Sequence, residues 1–271
     1  QKPVSKFSQE SHERSAALQA QGPRYIYSFK CLSDKLYRTE LSSGEVRCIA
    51  HPYYKFKLGG IVLSQLPGGL LYLTGGLSSN TVESIDSTRD LAVVKRTPMF
   101  TAREYHGAAC YEGYLYVIGG GVGGYSKSEC ERYSLTSSKW ETLMPLPYAC
   151  TDVSVIVLNH SLYALGGKNE DSTANRDLIQ RLNLDSLAWD VMAVRLPREY
   201  SKIVSFKLNE SQAYFVMRKC LYAFSAEKEV ITTLQPLSET IYYRCGPSYY
   251  SQGFLYTSNY DGEAQKVRLD L

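Results

Sequence analysis

The chain has 271 residues, of which 44% are hydrophobic and 21% are charged. This composition supplies enough apolar material for a sizeable buried core and excludes a disordered chain. The 30 basic and 27 acidic residues are mixed along the sequence and give a formal net charge of +3, which does not favour a nucleic-acid or membrane-surface protein. No apolar run approaches the roughly 20 residues of a membrane helix, and no signal peptide is visible.

Seven cysteines are present, an odd number with no C-x-x-C pair. This pattern argues against a disulfide framework and against a structural zinc site. We therefore expect a reducing, intracellular and cytoplasmic location. Because the sequence starts at Gln1 and not at a methionine, we expect it to be a fragment or processed form of a longer chain.

A repeated segment organises the sequence. Three copies end in a glycine pair, and their tyrosines lie 44 and 47 residues apart: Leu71-Tyr72-Leu73-Thr74-Gly75-Gly76, Leu115-Tyr116-Val117-Ile118-Gly119-Gly120 and Leu162-Tyr163-Ala164-Leu165-Gly166-Gly167. Weaker copies continue the rhythm around Tyr27, Tyr214 and Tyr256. The repeat therefore predicts six units of similar length.

Each unit reads as four antiparallel strands. An apolar stretch such as Gly107 to Glu112 leads through a tight turn into the repeated segment, which predicts a hairpin. A variable polar loop follows the glycine pair, then a third strand such as Glu131 to Leu135 and a fourth that opens at Trp140. Four strands in about 40 to 50 residues predict one blade of an all-β propeller.

The glycine pair, followed by a tyrosine and by a tryptophan after six intervening residues, resembles the Kelch-repeat family. Tyr133 and Trp140 fit this spacing, and Trp189 fits with Leu182 in place of the tyrosine. The resemblance implies a six-bladed Kelch-type β-propeller that forms one domain over residues 1–271. We expect both tryptophans to pack as wedges between blades and not to form a site.

The last unit has only three strands, over Gly246 to Ser251, Phe254 to Ser258 and Ala264 to Leu271. Arg14 to Gln21 aligns with first strands such as Gly107 to Glu112, so the residues before it are surplus to the first blade. We predict that Pro3 to Ser8 supplies the missing outer strand of the last blade, because an open ring leaves an unpaired sheet edge.

Catalytic motifs are absent from the sequence. The four histidines lie in no metal-binding spacing, and the glycine run Gly119 to Gly124 lacks the Lys-Ser/Thr ending of a phosphate loop. We read this run as the glycine pair followed by a flexible connector. Some Kelch-like propellers are enzymes, so an acid–base pair of Glu104 or Glu199 with His106 in the central funnel stays open as an alternative.

The junctions between the fourth strand of one blade and the first strand of the next repeat the same residue types. Five of six junctions carry tyrosine, and several carry arginine: Tyr54, Arg103 with Tyr105, Tyr148, Arg198 with Tyr200, and Tyr243 with Arg244. These tyrosines are either packing spacers or a ring of aromatic side chains at a protein-binding rim. In the second case Arg103 and Arg198 face the funnel and hold anions bidentately.

The loops after the glycine pairs lie on the same face in a propeller, and they differ in length. Those that contain Asn80, Lys168 and Asn169 are long, whereas the one at Arg218 is short. We include these four residues in the expected partner-binding surface. A lopsided rim of this kind suits an elongated peptide or a protein loop.

The leading hypothesis is a binding module that recognises a partner protein, and specifically an acidic or phosphorylated peptide. The family resemblance implies a substrate adaptor of a ubiquitin ligase or a cytoskeletal scaffold, with further domains in the full-length chain. The alternative is a structural packing unit of a larger assembly, and an enzyme is the third choice. No cofactor, metal, nucleic acid or membrane is expected.

Overall fold

The computed structural model describes residues 24–29, 35–50, 60–66, 69–87, 91–169, 176–198, 203–237, 241, 247–258 and 264–269. These residues form 24 strands and, within the described part, no helix. The strands make six antiparallel sheets, which we call blades 1 to 6, and one small extra hairpin. In the described chain, blades 2 to 5 have four strands each and blades 1 and 6 have three.

The strands follow one another blade by blade. Blade 1 contains β1 (Tyr25–Phe29), β2 (Lys35–Glu40) and β3 (Val46–Ala50), and blade 2 contains β4 (Val62–Gln65), β5 (Leu70–Thr74), β6 (Val82–Asp86) and β7 (Val93–Lys95). Blade 3 contains β8 (Gly107–Tyr111), β9 (Tyr114–Ile118), β12 (Cys130–Ser134) and β13 (Lys139–Leu143). Between β9 and β12, the hairpin consists of β10 (Gly121–Val122) and β11 (Tyr125–Ser126).

The second half of the chain repeats this order. Blade 4 contains β14 (Ser154–Leu158), β15 (Ser161–Leu165), β16 (Ile179–Asn183) and β17 (Trp189–Val191). Blade 5 contains β18 (Val204–Lys207), β19 (Gln212–Met217), β20 (Cys220–Ser225) and β21 (Val230–Pro236). Blade 6 contains β22 (Tyr249–Ser251), β23 (Phe254–Ser258) and β24 (Ala264–Arg268).

The blades form a closed ring. Successive inner strands contact one another from β4 through β8, β14 and β18 to β22. Blade 1 meets blade 6, where the Tyr256 hydroxyl donates to the Leu41 carbonyl at 2.9 Å and both residues pack with Ile26. The prediction of a six-bladed β-propeller is confirmed. The predicted N-terminal strand, Pro3 to Ser8, lies outside the described residues.

The core lies between the blades, because each blade buries apolar side chains on both of its faces. Between blades 3 and 4, for example, Ile118 and Leu143 pack with Val153 and Leu162. Full burial of such a side chain contributes about 1.5 to 3 kcal/mol. The ring is therefore stabilised by apolar packing of the same kind from one blade to the next.

Trp140 and Trp189 connect each blade to the one before it. Trp140 lies directly opposite Tyr133 across the sheet, and Trp189 lies opposite Leu182. The Trp140 indole N–H donates to the carbonyl of Thr97 at 2.8 Å, at the end of blade 2. Trp189 makes the same bond with Met144, at the end of blade 3, also at 2.8 Å. The prediction that both are inter-blade wedges is confirmed.

The glycine pair allows the following junction to approach the second strand closely. Gly120 has a φ of +94°, and a Cβ atom there would lie 2.8 Å from the Cβ of His106 and 2.9 Å from the Glu104 carbonyl oxygen. Its N–H donates to the Cys150 carbonyl at 2.9 Å. Only glycine combines this backbone conformation with this lack of space.

The glycine run after β9 is not a flexible connector, and this prediction is wrong. Gly121 and Val122 form β10, which pairs with Ser126 and Tyr125 of β11. Gly123 and Gly124 occupy the turn with φ values of +58° and +90°, where glycine relieves the strain of a left-handed backbone. The glycine-rich segment therefore builds an ordered, protruding hairpin.

Candidate functional site

The loops that follow the glycine pairs and the junctions between blades form one continuous surface, which we call the loop face. In the described residues it contains loops 77–80 and 168–169, junctions 99–105 and 147–152, and the β10–β11 hairpin. Junction 99–105 is fixed to loop 77–80 by the bonds Met99 N to Asn80 O and Arg103 N to Ser79 O, both 2.9 Å. The Asn80 side chain returns a bond to the Met99 carbonyl at 2.9 Å.

The hairpin joins blades 2, 3 and 4 on this face. Gly121 of β10 forms an antiparallel bridge with Glu104, and the Gly123 N–H donates to the Ser78 hydroxyl at 3.3 Å. On the other side, the Ser126 hydroxyl donates to the Lys168 carbonyl at 3.1 Å. The loops are thus held in place by hydrogen bonds that involve the main chain, and they form a preorganised surface.

Three equivalent residues, each two positions before an inner strand, have a left-handed conformation. Gly60, Tyr105 and Asp152 have φ values of +76°, +52° and +54°. The Tyr105 N–H donates to the Gly60 carbonyl at 2.9 Å, and the Asp152 N–H donates to the Tyr105 carbonyl at 2.8 Å. A non-glycine residue at positive φ is costly, and these bonds help to hold Tyr105 and Asp152 in that conformation.

Large apolar side chains are exposed on the loop face. Five of them are between 41 and 73% exposed: Leu77, Phe100, Tyr105, Tyr125 and Tyr148. Tyr105 and Tyr148 were predicted from the junction pattern, whereas Leu77, Phe100 and Tyr125 were not. The turn signal Gly123-Gly124 directly before Tyr125 could have indicated a hairpin that presents this ring.

Arg103 has a different place from the one we expected. Its side chain is fully buried, and its guanidinium forms an ion pair with Glu131 at 2.6 Å. The same guanidinium donates to the carbonyls of Gly119 at 2.5 Å and Glu129 at 2.7 Å. The expectation that Arg103 holds an anion of the partner is therefore corrected, because a carboxylate of the same chain occupies that position.

The buried pair has a clear structural role. The two carboxylate oxygens of Glu131 also accept the N–H groups of Phe100 at 2.7 Å and Thr101 at 3.0 Å. Arg103 thus fixes Glu131, and Glu131 fixes the backbone that carries the exposed ring of Phe100. This arrangement makes Arg103 a positioning residue of the loop face.

In blade 4, an uncharged residue holds the backbone of the preceding junction. Gln180 occupies the position of Glu131, and its side chain accepts the Tyr148 N–H at 2.9 Å and donates to the Tyr148 carbonyl at 3.1 Å. Cys150 stands where blade 3 has Arg103. Blade 4 therefore has uncharged residues at both positions where blade 3 has an ion pair. In each of the two blades, a buried polar side chain on the third strand supports the backbone of an exposed aromatic residue.

The other predicted site residues divide into three groups. Asn169 ties its loop to the Ala149 carbonyl at 3.1 Å, as Asn80 does in blade 2. Lys168 is exposed and lies 3.6 Å from the carboxylate of the buried Asp152. Arg198 is exposed in the junction between blades 4 and 5, and Arg218 lies in the two-residue turn between β19 and β20. Four predicted residues lie outside the described part of the chain: Tyr54, Tyr200, Tyr243 and Arg244.

The central channel encloses about 300 Å³ and is lined by the inner strands β4, β8, β14 and β18. Its described lining is mostly small or neutral and includes Ser64, Ala109, Ser154 and Ser205. Lys207 is the one charged residue among these described lining residues. The channel therefore offers hydroxyl groups and apolar surface.

His106 lies against the glycine pairs of blades 2 and 3 and is fully buried. Its Nε2 is 2.8 Å from the Thr74 hydroxyl, and its Nδ1 has no partner among the described residues. Burial, and then the nearby charge of Arg103, lower the pKa of His106 well below its ordinary value of 6.5. In the described part of the chain His106 is thus paired with a hydroxyl and not with Glu104; Glu199 lies outside that part.

Two kinds of feature are absent from the described residues. No group of three or more His, Cys, Asp or Glu side chains lies close enough to share a metal ion. No helix within these same ranges has the length and apolarity to cross a membrane.

Comparison with known proteins gives a consistent group of relatives. The Kelch motif family matches residues 102–147, which cover the junction before blade 3 and that whole blade. The chain is 29% identical to human Kelch-like protein 34 over 49% of its length and 28% identical to Kelch-like protein 25 of Xenopus tropicalis over 61%. It is 31% identical to mouse Kelch-like protein 40 over 34% of its length. The matches span 22, 29 and 16% of these three relatives, respectively.

Proposed function

Because the chain belongs to the Kelch-repeat β-propeller family and is a protein-interaction domain, we propose that its loop face holds a segment of a partner protein between blades 2 and 4. The proposal takes residues 1–271 as one binding domain. It places the contact on the apolar side chains of the loop face and not in the central channel.

One observation carries this proposal: five large apolar side chains are exposed on a surface whose backbone is already fixed. Aromatic side chains in rigid positions are the residues that most often dominate a protein interface. A preorganised surface also loses little conformational entropy on binding. The Phe100 and Tyr148 backbones are each held by a buried side chain, from Glu131 and Gln180, so their rings are presented in fixed places.

The charge of the partner is a finer part of the proposal. With Arg103 buried in its own ion pair, three described residues of the predicted site keep exposed cationic side chains: Lys168, Arg198 and Arg218. Lys168 and Arg198 lie on the blade 4 side, in the loop of that blade and in the junction that follows it. We propose that an acidic or phosphorylated group of the partner lies on this side, while its apolar residues contact Phe100 and Tyr125.

The proposal is tested with a face variant and a matched control. The face variant carries Phe100→Ser and Tyr125→Ser, and the control carries Val94→Ser, another exposed apolar residue on the outer strand β7. Proteins captured from native extract by the unmodified chain are compared by mass spectrometry. We expect the partner to be retained by the control and lost with the face variant. Equal retention by both variants would contradict the proposed surface.

Calorimetry then gives the strength of the effect. With the captured partner purified, the face variant should bind at least about tenfold more weakly, which corresponds to about 1.4 kcal/mol. Surface substitutions of this kind change stability little, so a normal melting temperature checks that the variant is folded.

The wider role is that of a substrate adaptor for a ubiquitin ligase or of a cytoskeletal scaffold, as the family resemblance implies. Both roles need a domain that holds one partner while another part of the protein holds a second. A packing unit in a larger assembly is the second candidate, favoured by the exposed outer strand of blade 5 described below. We propose no enzymatic activity.

A further inference from the structure

The outer strand of blade 5 differs from the other described outer strands. β21 has the sequence Val-Ile-Thr-Thr-Leu-Gln-Pro and is the longest of them, with seven residues and no charged side chain. Each of the others carries at least one charge: Arg47 in β3, Lys95 in β7, Lys139 and Glu141 in β13, and Asp190 in β17. Charged residues on an edge strand prevent it from pairing with another chain. β21 lacks this protection.

The first half of β21 is a regular strand, and no strand of the described residues pairs with its outer edge. Val230 to Thr233 pair in register with Ser225 to Tyr222 of β20 on one side. Val230, Thr232 and Thr233 are exposed, while Ile231 packs partly against the core. An irregularity then leaves Leu234 without a register partner, and Pro236 ends the strand. The bulge and the proline prevent strand pairing only along the second half of the edge.

We propose that this open edge pairs with the same edge of a second copy of the chain, antiparallel and about a two-fold axis through Ile231. In this register Val230 of one copy lies opposite Thr232 of the other, while Glu229 lies in the turn before the strand, outside the paired segment. No charge therefore faces a like charge. Pairs of β-branched residues are favourable across antiparallel strands, and a two-fold contact uses the same surface in both copies.

A second copy fits this edge because the strand is complementary to itself. From Val230 to Thr233 the edge presents main-chain donors and acceptors and β-branched side chains, with no charged side chain that would select another sequence. One strand pair buries less than the roughly 1,200 Å² of a stable interface. The dimer is therefore weak and forms only at high concentration.

The test is sedimentation equilibrium of the chain between about 10 and about 500 µM, where weak contacts of this size become populated. The weight-average mass should rise from that of one chain toward that of two. Thr232→Lys places a cation in the middle of the exposed edge and should raise the dissociation constant at least about tenfold. The matched control is Thr142→Lys on β13, an exposed threonine on an outer strand that is already charged, and it should leave the association unchanged.

Hydrogen exchange provides a second readout. Amides of residues 230–233 that point outward should become protected as the concentration rises in the unmodified chain and in the β13 control, but not in the Thr232→Lys variant. A monomer over the whole concentration range overturns the proposal. So does association that Thr232→Lys leaves unchanged, which would place the contact elsewhere.

Discussion

The buried pair of Arg103 and Glu131 permits a double-mutant test of how the loop face is built. Arg103→Cys leaves the Glu131 carboxylate buried without its cation, with only the Phe100 and Thr101 N–H groups as partners. Removing one member of a buried ion pair costs about 3 to 5 kcal/mol of the free energy of unfolding. Glu131→Gln alone leaves the buried guanidinium without a carboxylate, with only the Gly119 and Glu129 carbonyls as acceptors, and should cost a similar amount.

The double variant Arg103→Cys with Glu131→Gln reproduces what blade 4 has naturally in Cys150 and Gln180. The amide that replaces the Glu131 carboxylate can then accept from the Thr101 N–H and donate to the Thr101 carbonyl, as Gln180 does with Tyr148. We expect the double variant to be more stable than the sum of the single effects by about 1 to 3 kcal/mol. The missing arginine volume still leaves part of the loss.

Urea denaturation of the four proteins gives the coupling free energy directly. Additive effects, with no coupling, would refute the inference that the two blades use interchangeable supports. A loss below about 1 kcal/mol for Arg103→Cys alone would show that the pair is not an important part of the fold.

Three further predictions concern the fold. Trp140→Phe should lower the free energy of unfolding by about 1 to 3 kcal/mol, measured by urea denaturation, because the Thr97 carbonyl loses its indole donor and the wedge loses volume. Gly120→Ala should cost more than Gly123→Ala in the same assay, because the first places a Cβ within 2.9 Å of neighbouring atoms whereas the second has open space. Because the pKa of His106 is lowered in the folded chain, the imidazole is protonated at a higher pH in the unfolded chain than in the folded one. The free energy of unfolding should therefore fall as the pH drops below 6.5, by at most about 1.4 kcal/mol per pH unit. This contribution to the pH dependence of the melting temperature should be absent in His106→Asn, and an unchanged slope would contradict it.

Much of the fold was predictable because each blade repeats the same strand order and the same buried residue types. Tyrosines 44 and 47 residues apart mark the buried second strands, and the spacing of Tyr133 and Trp140 is what places them opposite each other across a sheet. The extra hairpin was missed because glycines suggest a loop, although Gly123-Gly124 is also a turn signal between two short strands.

The site was predicted less well, for reasons visible in the residues. Arg103 and Arg198 look equivalent in sequence, since each is followed by Glu-Tyr, but Arg103 precedes β8 by four residues and Arg198 precedes β18 by six. The partner that buries Arg103 is Glu131, 28 residues later on another strand. A single sequence does not reveal which charge of a junction will meet such a partner. The tyrosines were a better guide, because Tyr105 and Tyr148 are both exposed on the loop face.

The most direct test of the proposed partner-binding surface is hydrogen exchange of the chain with and without the captured partner. We expect binding to slow exchange at the described loop-face amides, in particular those of loop 77–80, residues 100–105, the β10–β11 hairpin and residues 147–152. The outer strands β7 and β13 should be unchanged. Protection confined to those outer strands, with none on the loop face, would contradict the account.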